Sequence, residues 1–165
     1  RIAYCKINYP LAYYAAFFSI RASGFSYELM CQGQQHLESV MADYKRRSDE
    51  LSKKEQDSYR DMKIVQEMYA RGFEFEPINL FSAQARLFQV SGVNKLMPSL
   101  SSIDGLGEKA ADAVVEAAKN GPFLSKEDFR ERTKVSLTVT ELMDRLGILG
   151  DLPESNQISL FDFAI

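Results

Sequence analysis

The chain has 165 residues, of which 45% are hydrophobic and 26% are charged, and its net charge is −3. These proportions are ordinary for a folded protein and exclude a wholly disordered chain. The negative net charge argues against binding of nucleic acid through bulk electrostatics. No apolar run reaches the roughly 18 residues that a membrane span requires, and the length suffices for one domain or two small units.

Cysteine and histidine are too sparse to suggest a disulfide framework or a metal site. Cys5 and Cys31 lie in neither a CxxC motif nor a Cys/His cluster, which favours reduced thiols in a cytosolic protein. His36 has no ligand partner at helical or turn spacing, so we expect a surface position on a helix. The sequence therefore predicts no metal site in this chain.

The first half of the chain is predicted to be helical. Residues 1–20 begin inside a helical pattern, so we expect this chain to be the C-terminal part of a longer polypeptide. A second helix is predicted from Tyr27 to about Arg47, because the apolar residues at 37, 40, 41 and 44 share one face. A third is predicted from Ser52 to Arg71, with Gly72 in the C′ position and with inward-facing Met62, Val65, Met68 and Tyr69.

The middle of the chain changes in composition. Residues 73–90 alternate and contain β-formers, which predicts one or two short strands. Residues 91–102, SGVNKLMPSLSS, are rich in turn formers and are predicted to be a linker, with a domain boundary near residues 92–99.

Short helices with well-marked starts are predicted in the second half. Ser125 with Asp128 resembles a capping box, and Leu124 with Phe129 a hydrophobic staple. The next helix is predicted to repeat both devices, with Thr138 and Glu141 as the capping box and Leu137 and Leu142 as the staple. Gly147 is expected to end that helix. These residues specify the fold, and we assign them no chemistry.

The stretch IDGLGEKAADAVVEA carries the clearest functional signal. Gly105 and Gly107 flank Leu106 directly before a helix that is predicted to begin at about Glu108. This pattern of hydrophobic residue, glycine, hydrophobic residue, glycine and later alanine is typical of a helix-hairpin-helix. Glycines let the main chain turn tightly and approach a ligand, and Leu106 is expected to plug down into the hairpin.

A DNA phosphate is the predicted ligand of this hairpin. The free N–H groups and dipole of the following helix favour an anion, and Lys109 in its first turn adds an ion pair. Such a contact grips the backbone and reads no bases. The alternative is a tight turn between two helices that never meets DNA. A second, degenerate hairpin is predicted over residues 136–152, around the LGILG turn, without a glycine pair to support binding.

The C-terminal tail is predicted to bind a partner. Residues 153–156 are expected to be flexible, and the QISLF segment beyond them fits a peptide that docks on a sliding clamp. Leu160 and Phe161 would enter an apolar cleft while the Gln157 amide makes directional hydrogen bonds, with Ile158 and Ser159 as the spacer. The alternative is an apolar tail that folds back onto its own domain.

Together these segments resemble the C-terminal region of the bacterial replicative DNA polymerase III alpha subunit, PolC type. The resemblance rests on residues 1–23, 71–88, 101–129 and 152–163, which look like the family's fingers segment, extended segment, duplex-binding hairpin and clamp-binding end. It implies a mainly α chain divided into a fingers part over 1–91, a helix-hairpin-helix domain over 92–152 and a tail over 153–165.

The same resemblance implies that catalysis lies elsewhere in the protein. The palm aspartates that bind Mg²⁺, and the 3′–5′ exonuclease, are expected upstream, so this segment has neither catalytic residues nor a cofactor of its own. The full-length protein is expected to be a cytoplasmic, nucleoid-associated DNA-directed DNA polymerase. Its expected partners are primer-template duplex, the sliding clamp and other replisome subunits, with no membrane.

Two other functions fit the same residues. The first is a non-enzymatic helix-hairpin-helix protein of DNA repair that recruits a sliding clamp, which a start codon just upstream of Arg1 would support. The second is a helical interaction module that never touches nucleic acid, which salt-dependent duplex binding by residues 95–165 would exclude.

Overall fold

A computed structural model describes residues 1–156, which form a mainly helical fold with one small sheet. The predicted fold class is therefore confirmed. The helices are α1 Ile2–Asn8, α2 Pro10–Ile20, α3 Tyr27–Met30, α4 Gln34–Arg46, α5 Lys53–Ala70, α6 Glu108–Lys119, α7 Lys126–Thr133 and α8 Leu137–Arg145. The strands are β1 Glu74–Phe75, β2 Gln89–Ser91 and β3 Lys95–Met97. Single 3₁₀ turns occur at Ser48–Glu50 and Leu100–Ser102.

Two predicted helices are each divided in two. The first breaks at Tyr9, because Pro10 cannot continue a helix but suits the first turn of a new one. The second breaks over residues 31–33, where Gly33 has a φ of 95° that disfavours other residues. His36 is exposed on α4, as predicted, and the thiols of Cys5 and Cys31 are free.

Helix α5 matches its prediction closely. Ser52 and Glu55 form a capping box at its start. At its end the N–H of Gly72 donates to Tyr69 and the N–H of Phe73 donates to Met68, with a φ of 85° at Gly72. This is the Schellman arrangement expected of a C′ glycine.

The predicted linker contains the central strand of the sheet. The strand order is β1-β3-β2, in which β3 pairs parallel with β1 and antiparallel with β2. Leu96 packs into the core of the N-terminal helices, whereas its neighbour Met97 packs into the core of the hairpin region. Successive side chains of a strand point to opposite faces, so β3 lies between the two cores and contributes a side chain to each.

Close backbone packing joins the loop after α2 to α5. A Cβ on Gly24 would lie 2.4 Å from the Ser58 nitrogen and 2.5 Å from the Asp57 carbonyl carbon. The N–H of Gly24 donates to the carboxylate of Asp61 at 2.8 Å. Burial of this carboxylate raises the pKa of Asp61, and the Gly24 hydrogen bond offsets part of the shift.

Helix starts in the second half differ from their predictions in detail. Ser125 caps α7 through the N–H of Asp128, as predicted, but the Asp128 carboxylate accepts from the N–H of Leu124. The staple prediction is wrong, because Leu124 is 64% exposed while Phe129 is fully buried. Ser136, rather than Thr138, caps α8, since its hydroxyl accepts from the N–H of Val139. Gly147 closes α8 with a φ of 77°, as predicted.

The last described residues are tied to α7. The N–H groups of Lys126 and Glu127 donate to the carbonyls of Pro153 and Glu154 at 2.9 and 3.1 Å. The Lys126 ammonium contacts Asp144 and Glu154 at 2.8 and 2.6 Å, and these contacts raise its pKa. Pro153 and Glu154, at the start of the segment predicted to be flexible, are thus hydrogen-bonded to α7. None of the helices formed by residues 1–156 has the length and hydrophobicity that a transmembrane helix requires.

Candidate nucleic-acid interface

The hairpin predicted at residues 103–107 is present, with a shortened first arm. A single 3₁₀ turn at Leu100–Ser102 leads into it, and α6 follows it. The N–H of Leu106 donates to the carbonyl of Ile103 at 3.1 Å, and the Leu106 side chain is buried. Leu106 therefore plugs the turn from below, as predicted, and can offer a ligand only its backbone.

The two glycines have different roles. Gly105 has a φ of 82°, and a Cβ there would lie 3.1 Å from Cγ2 of Val139. Gly107 is the N-cap of α6 in an extended conformation, with a φ of −68° and a ψ of 164°. A Cβ at Gly107 would meet open space. The expectation that both glycines are needed for their backbone angles is therefore wrong for Gly107, whose lack of a side chain instead keeps the approach to α6 open.

The N-terminus of α6 is open to an anion. No side chain caps it. Its first helical bond runs from the N–H of Ala111 to the carbonyl of Gly107 at 2.9 Å. Serine hydroxyls, in contrast, cap α3, α5, α7 and α8. The N–H groups of Glu108, Lys109 and Ala110 precede the first helical bond, so they are the groups that a phosphate would meet.

Lys109 is exposed in the first turn of α6. It forms no salt bridge with any residue between 1 and 156. Its ammonium is therefore free of ion pairs with these residues, in the first turn of α6 where the sequence predicted Lys109 to lie.

Arg86 also lies at this site and was missed by the sequence analysis. Its guanidinium contacts the Asp112 carboxylate at 2.6 Å and the Glu108 carboxylate at 3.6 Å. Arg86 precedes the hairpin by about 20 residues in an irregular segment, so no periodicity connects it to α6. The sequence between them gives no sign of the contact either.

A second hairpin is present, but not where the sequence predicted it. Its helices are α7 and α8, and its turn is Lys134–Val135–Ser136. Lys134 has a φ of 59° like Gly105, Val135 is buried like Leu106, and Ser136 has the extended N-cap angles of Gly107. The LGILG turn, in contrast, ends α8, so the prediction of a hairpin over residues 136–152 is wrong.

The two hairpins share one hydrophobic core. Leu106, Val114, Val135 and Met143 all belong to it. The hairpin turn is also tied to the N-terminal half, because the Ser26 hydroxyl donates to the Asp104 carboxylate. The position of α6 is therefore fixed from both sides.

The predicted clamp-binding residues cannot be placed at this site. The proposed clamp-binding residues, Gln157, Ile158, Ser159, Leu160 and Phe161, lie outside the described residues. Within residues 1–156 no group of three or more His, Cys, Asp or Glu side chains could hold a metal ion, so we assign no described residue to the Mg²⁺ expected upstream.

Comparison with known proteins agrees with this geometry. A family model described as a helix-hairpin-helix motif matches residues 72–158. The DNA polymerase III PolC-type of Streptococcus pneumoniae serotype 2 (strain D39 / NCTC 7466) is 43% identical over 98% of this chain and 11% of its own length. That of Streptococcus pyogenes serotype M5 (strain Manfredo) is 42% identical over the same shares.

The chain thus spans about a tenth of the length of the curated relatives it matches. The hairpin family model, in contrast, covers more than half of the chain and includes both hairpins. The chain therefore belongs to the helix-hairpin-helix family, and over nearly its whole length it matches a segment of PolC-type DNA polymerase III.

Proposed function

We propose that this chain is the duplex-holding C-terminal part of a PolC-type replicative DNA polymerase. The full-length protein would be a DNA-directed DNA polymerase that works in the cytoplasm at the nucleoid. This segment would bind the backbone of the primer-template duplex and tether the enzyme to the sliding clamp. Residues 1–91 would belong to the fingers, 92–152 to the duplex-binding domain and 153–165 to the tail.

The open N-terminus of α6 is the observation that carries the duplex-binding role. Gly107 presents no side chain, the first turn of α6 is uncapped, and Lys109 is unpaired within the described part of the chain. These features meet the requirements of a phosphate, which needs N–H donors, a favourable dipole and close approach. They also explain how a chain with a net charge of −3 could bind DNA through a local contact.

The first hairpin is better suited to this role than the second. The Ser136 hydroxyl already accepts from the N–H of Val139, so one donor at the start of α8 is satisfied internally. Leu137 is exposed as the first residue of α8, where α6 has Glu108 followed by Lys109. We therefore assign the principal phosphate contact to Gly105, Leu106, Gly107 and Lys109, with Gly105 and Leu106 shaping the turn.

The tail would supply the clamp contact through Gln157, Leu160 and Phe161. The backbone hydrogen bonds of Pro153 and Glu154 to α7 support this role, because they fix the chain three residues before Gln157. A short connection to a fixed point gives a high effective concentration for the second binding event. DNA and clamp would then be held together without any change in the polymerisation chemistry.

Salt-dependent binding of duplex DNA tests the proposal. Each phosphate contact contributes about 0.9 to the slope of log K against log salt for duplex DNA. We expect the full chain to bind duplexes of unrelated sequence alike, and Lys109→Ala to lower the slope by about 1.

Lys119→Ala is the matched control for Lys109→Ala. Lys119 is an exposed lysine near the other end of α6, about 15 Å from Lys109 at 1.5 Å per residue. Lys119→Ala should leave the slope of log K against log salt unchanged. Equal effects of the two substitutions would reject a local contact, and no duplex binding by the folded chain would reject the duplex-binding role.

A further inference from the structure

Arg86 is held beside the hairpin by the backbone of its own loop. The N–H of Leu100 donates to the carbonyl of Gln84, and the N–H of Ser101 donates to the carbonyl of Ala85, both at 2.9 Å. These bonds join the loop to the 3₁₀ turn that forms the first arm of the hairpin. Arg86 directly follows Ala85, so the hydrogen bonds that hold the loop to the 3₁₀ turn also fix the position of its backbone.

The Arg86 side chain bridges two carboxylates on one face of α6. Its Nη2 lies 2.6 Å from Oδ2 of Asp112, and its Nε lies 3.6 Å from Oε2 of Glu108. Residues four apart on a helix share a face, so one guanidinium can serve both. All three side chains are about half exposed or more, so the cluster lies at the surface around the first turns of α6.

These carboxylates create an electrostatic conflict at a phosphate site. Glu108 is the first residue of α6 and immediately precedes Lys109. An acidic side chain there favours the helix itself, because it faces the positive end of the dipole. It also repels a phosphate that seeks the same end of the dipole, and Asp112 adds a second negative charge one turn further on.

We propose that Arg86 is a positioning residue of the duplex-binding site, whose single positive charge offsets part of the negative charge of Glu108 and Asp112 so that a phosphate can reach the start of α6. This inference rests on the proposed function. Arg86 acts through the two carboxylates and does not itself bind phosphate, since both of them already engage its guanidinium. The net charge around the duplex contact thus depends on a residue of the loop that precedes β2.

A double-mutant cycle on the full chain tests the proposal, with duplex affinity measured by fluorescence anisotropy. Arg86→Ala should weaken binding of a labelled duplex by about fivefold to tenfold, a coupling typical of charges in contact. The same substitution should change affinity by less than about twofold when Glu108→Gln and Asp112→Asn are also present, because the negative charges that Arg86 offsets are then gone.

Several controls separate this role from structural damage. Arg86→Lys keeps the charge and should restore much of the affinity, whereas Lys119→Ala removes a paired surface cation elsewhere on α6 and should have no effect. The chain with Glu108→Gln and Asp112→Asn keeps Arg86 and should bind at least as tightly as the wild type. Weaker binding by that variant, with an unchanged circular dichroism spectrum, would overturn the proposal.

The remaining outcomes are also decisive. Wild-type affinity in Arg86→Ala would overturn the proposal. An equal loss in both backgrounds, with a salt slope lower by about 1, would overturn it in favour of a direct phosphate contact. If Gly107→Val weakens binding but Arg86→Ala does not, only this inference fails. If the folded wild-type chain does not bind duplex at all, the proposed function fails.

Discussion

Substitutions at Gly105 and Gly107 should separate stability from DNA binding. At Gly105 an alanine would adopt a φ of 82° and meet Val139 at 3.1 Å. The left-handed conformation costs about 1–2 kcal/mol, and the Val139 side chain must also move slightly to make room for the new Cβ. At Gly107 the backbone angles suit any residue and a Cβ meets open space, so valine should cost less than about 1 kcal/mol through its weaker N-cap propensity.

The order of the two effects should reverse for duplex binding. Valine at Gly107 would project into the space in front of the free N–H groups of α6. A lost hydrogen bond to a charged group is worth about 1.5–3 kcal/mol, which corresponds to at least a tenfold weaker affinity. Alanine at Gly105, in contrast, should change affinity little as long as the turn is folded.

Urea unfolding and fluorescence anisotropy on the same preparations measure both quantities. We expect Gly105→Ala to be the less stable variant and Gly107→Val to be the weaker DNA binder. If Gly107→Val binds duplex with wild-type affinity while its urea midpoint is unchanged, the assignment of phosphate to the start of α6 is wrong. If Gly107→Val unfolds more readily than Gly105→Ala, the distinction between the two glycines is wrong.

Further predictions concern the core and the tail. Gly24→Ala should destabilise the chain by about 3 kcal/mol in urea unfolding, because the new Cβ overlaps the α5 backbone and weakens the hydrogen bond to Asp61; a loss below about 1 kcal/mol would contradict this. Asp61 has a raised pKa in the folded state, so the stabilisation it contributes at low pH is lost as pH rises above the ordinary aspartate pKa of about 3.9. The stability of Asp61→Asn relative to the wild type should therefore increase as pH rises above that value. A difference in stability that does not change with pH would contradict this prediction. Replacement of Leu160 and Phe161 by alanine should abolish binding to the sliding clamp in calorimetry while duplex affinity is retained, and unchanged clamp affinity would rule out the proposed tail contact.

Local rules predicted much of the helical fold. The start of α5 near Ser52 and the C′ role of Gly72 follow from residues close in sequence, and both are confirmed. The apolar periodicity likewise predicted the buried face of α5. The break at Gly33 was missed because the apolar pattern of α4 lies entirely beyond it, so nothing in that pattern marked where the helix would begin.

Features that depend on distant contacts were not predictable in this way. β3 reads as a linker because it is three residues long, and it is a strand only because β1 and β2 flank it. Lys134 adopts the left-handed conformation that glycine has in the first hairpin, so the second turn carried no glycine signal. Arg86 reaches α6 only through folding of the loop onto the 3₁₀ turn.

A phosphate scan of the bound duplex tests most directly whether the start of α6 binds the DNA backbone. Single phosphates are replaced in turn by neutral methylphosphonates, and the affinity of the full chain is measured for each duplex. If the start of α6 binds a phosphate, affinity should fall at one or two backbone positions, independent of base sequence, and Gly107→Val should remove this sensitivity. Affinity that is insensitive to every replacement but varies with base sequence would contradict it.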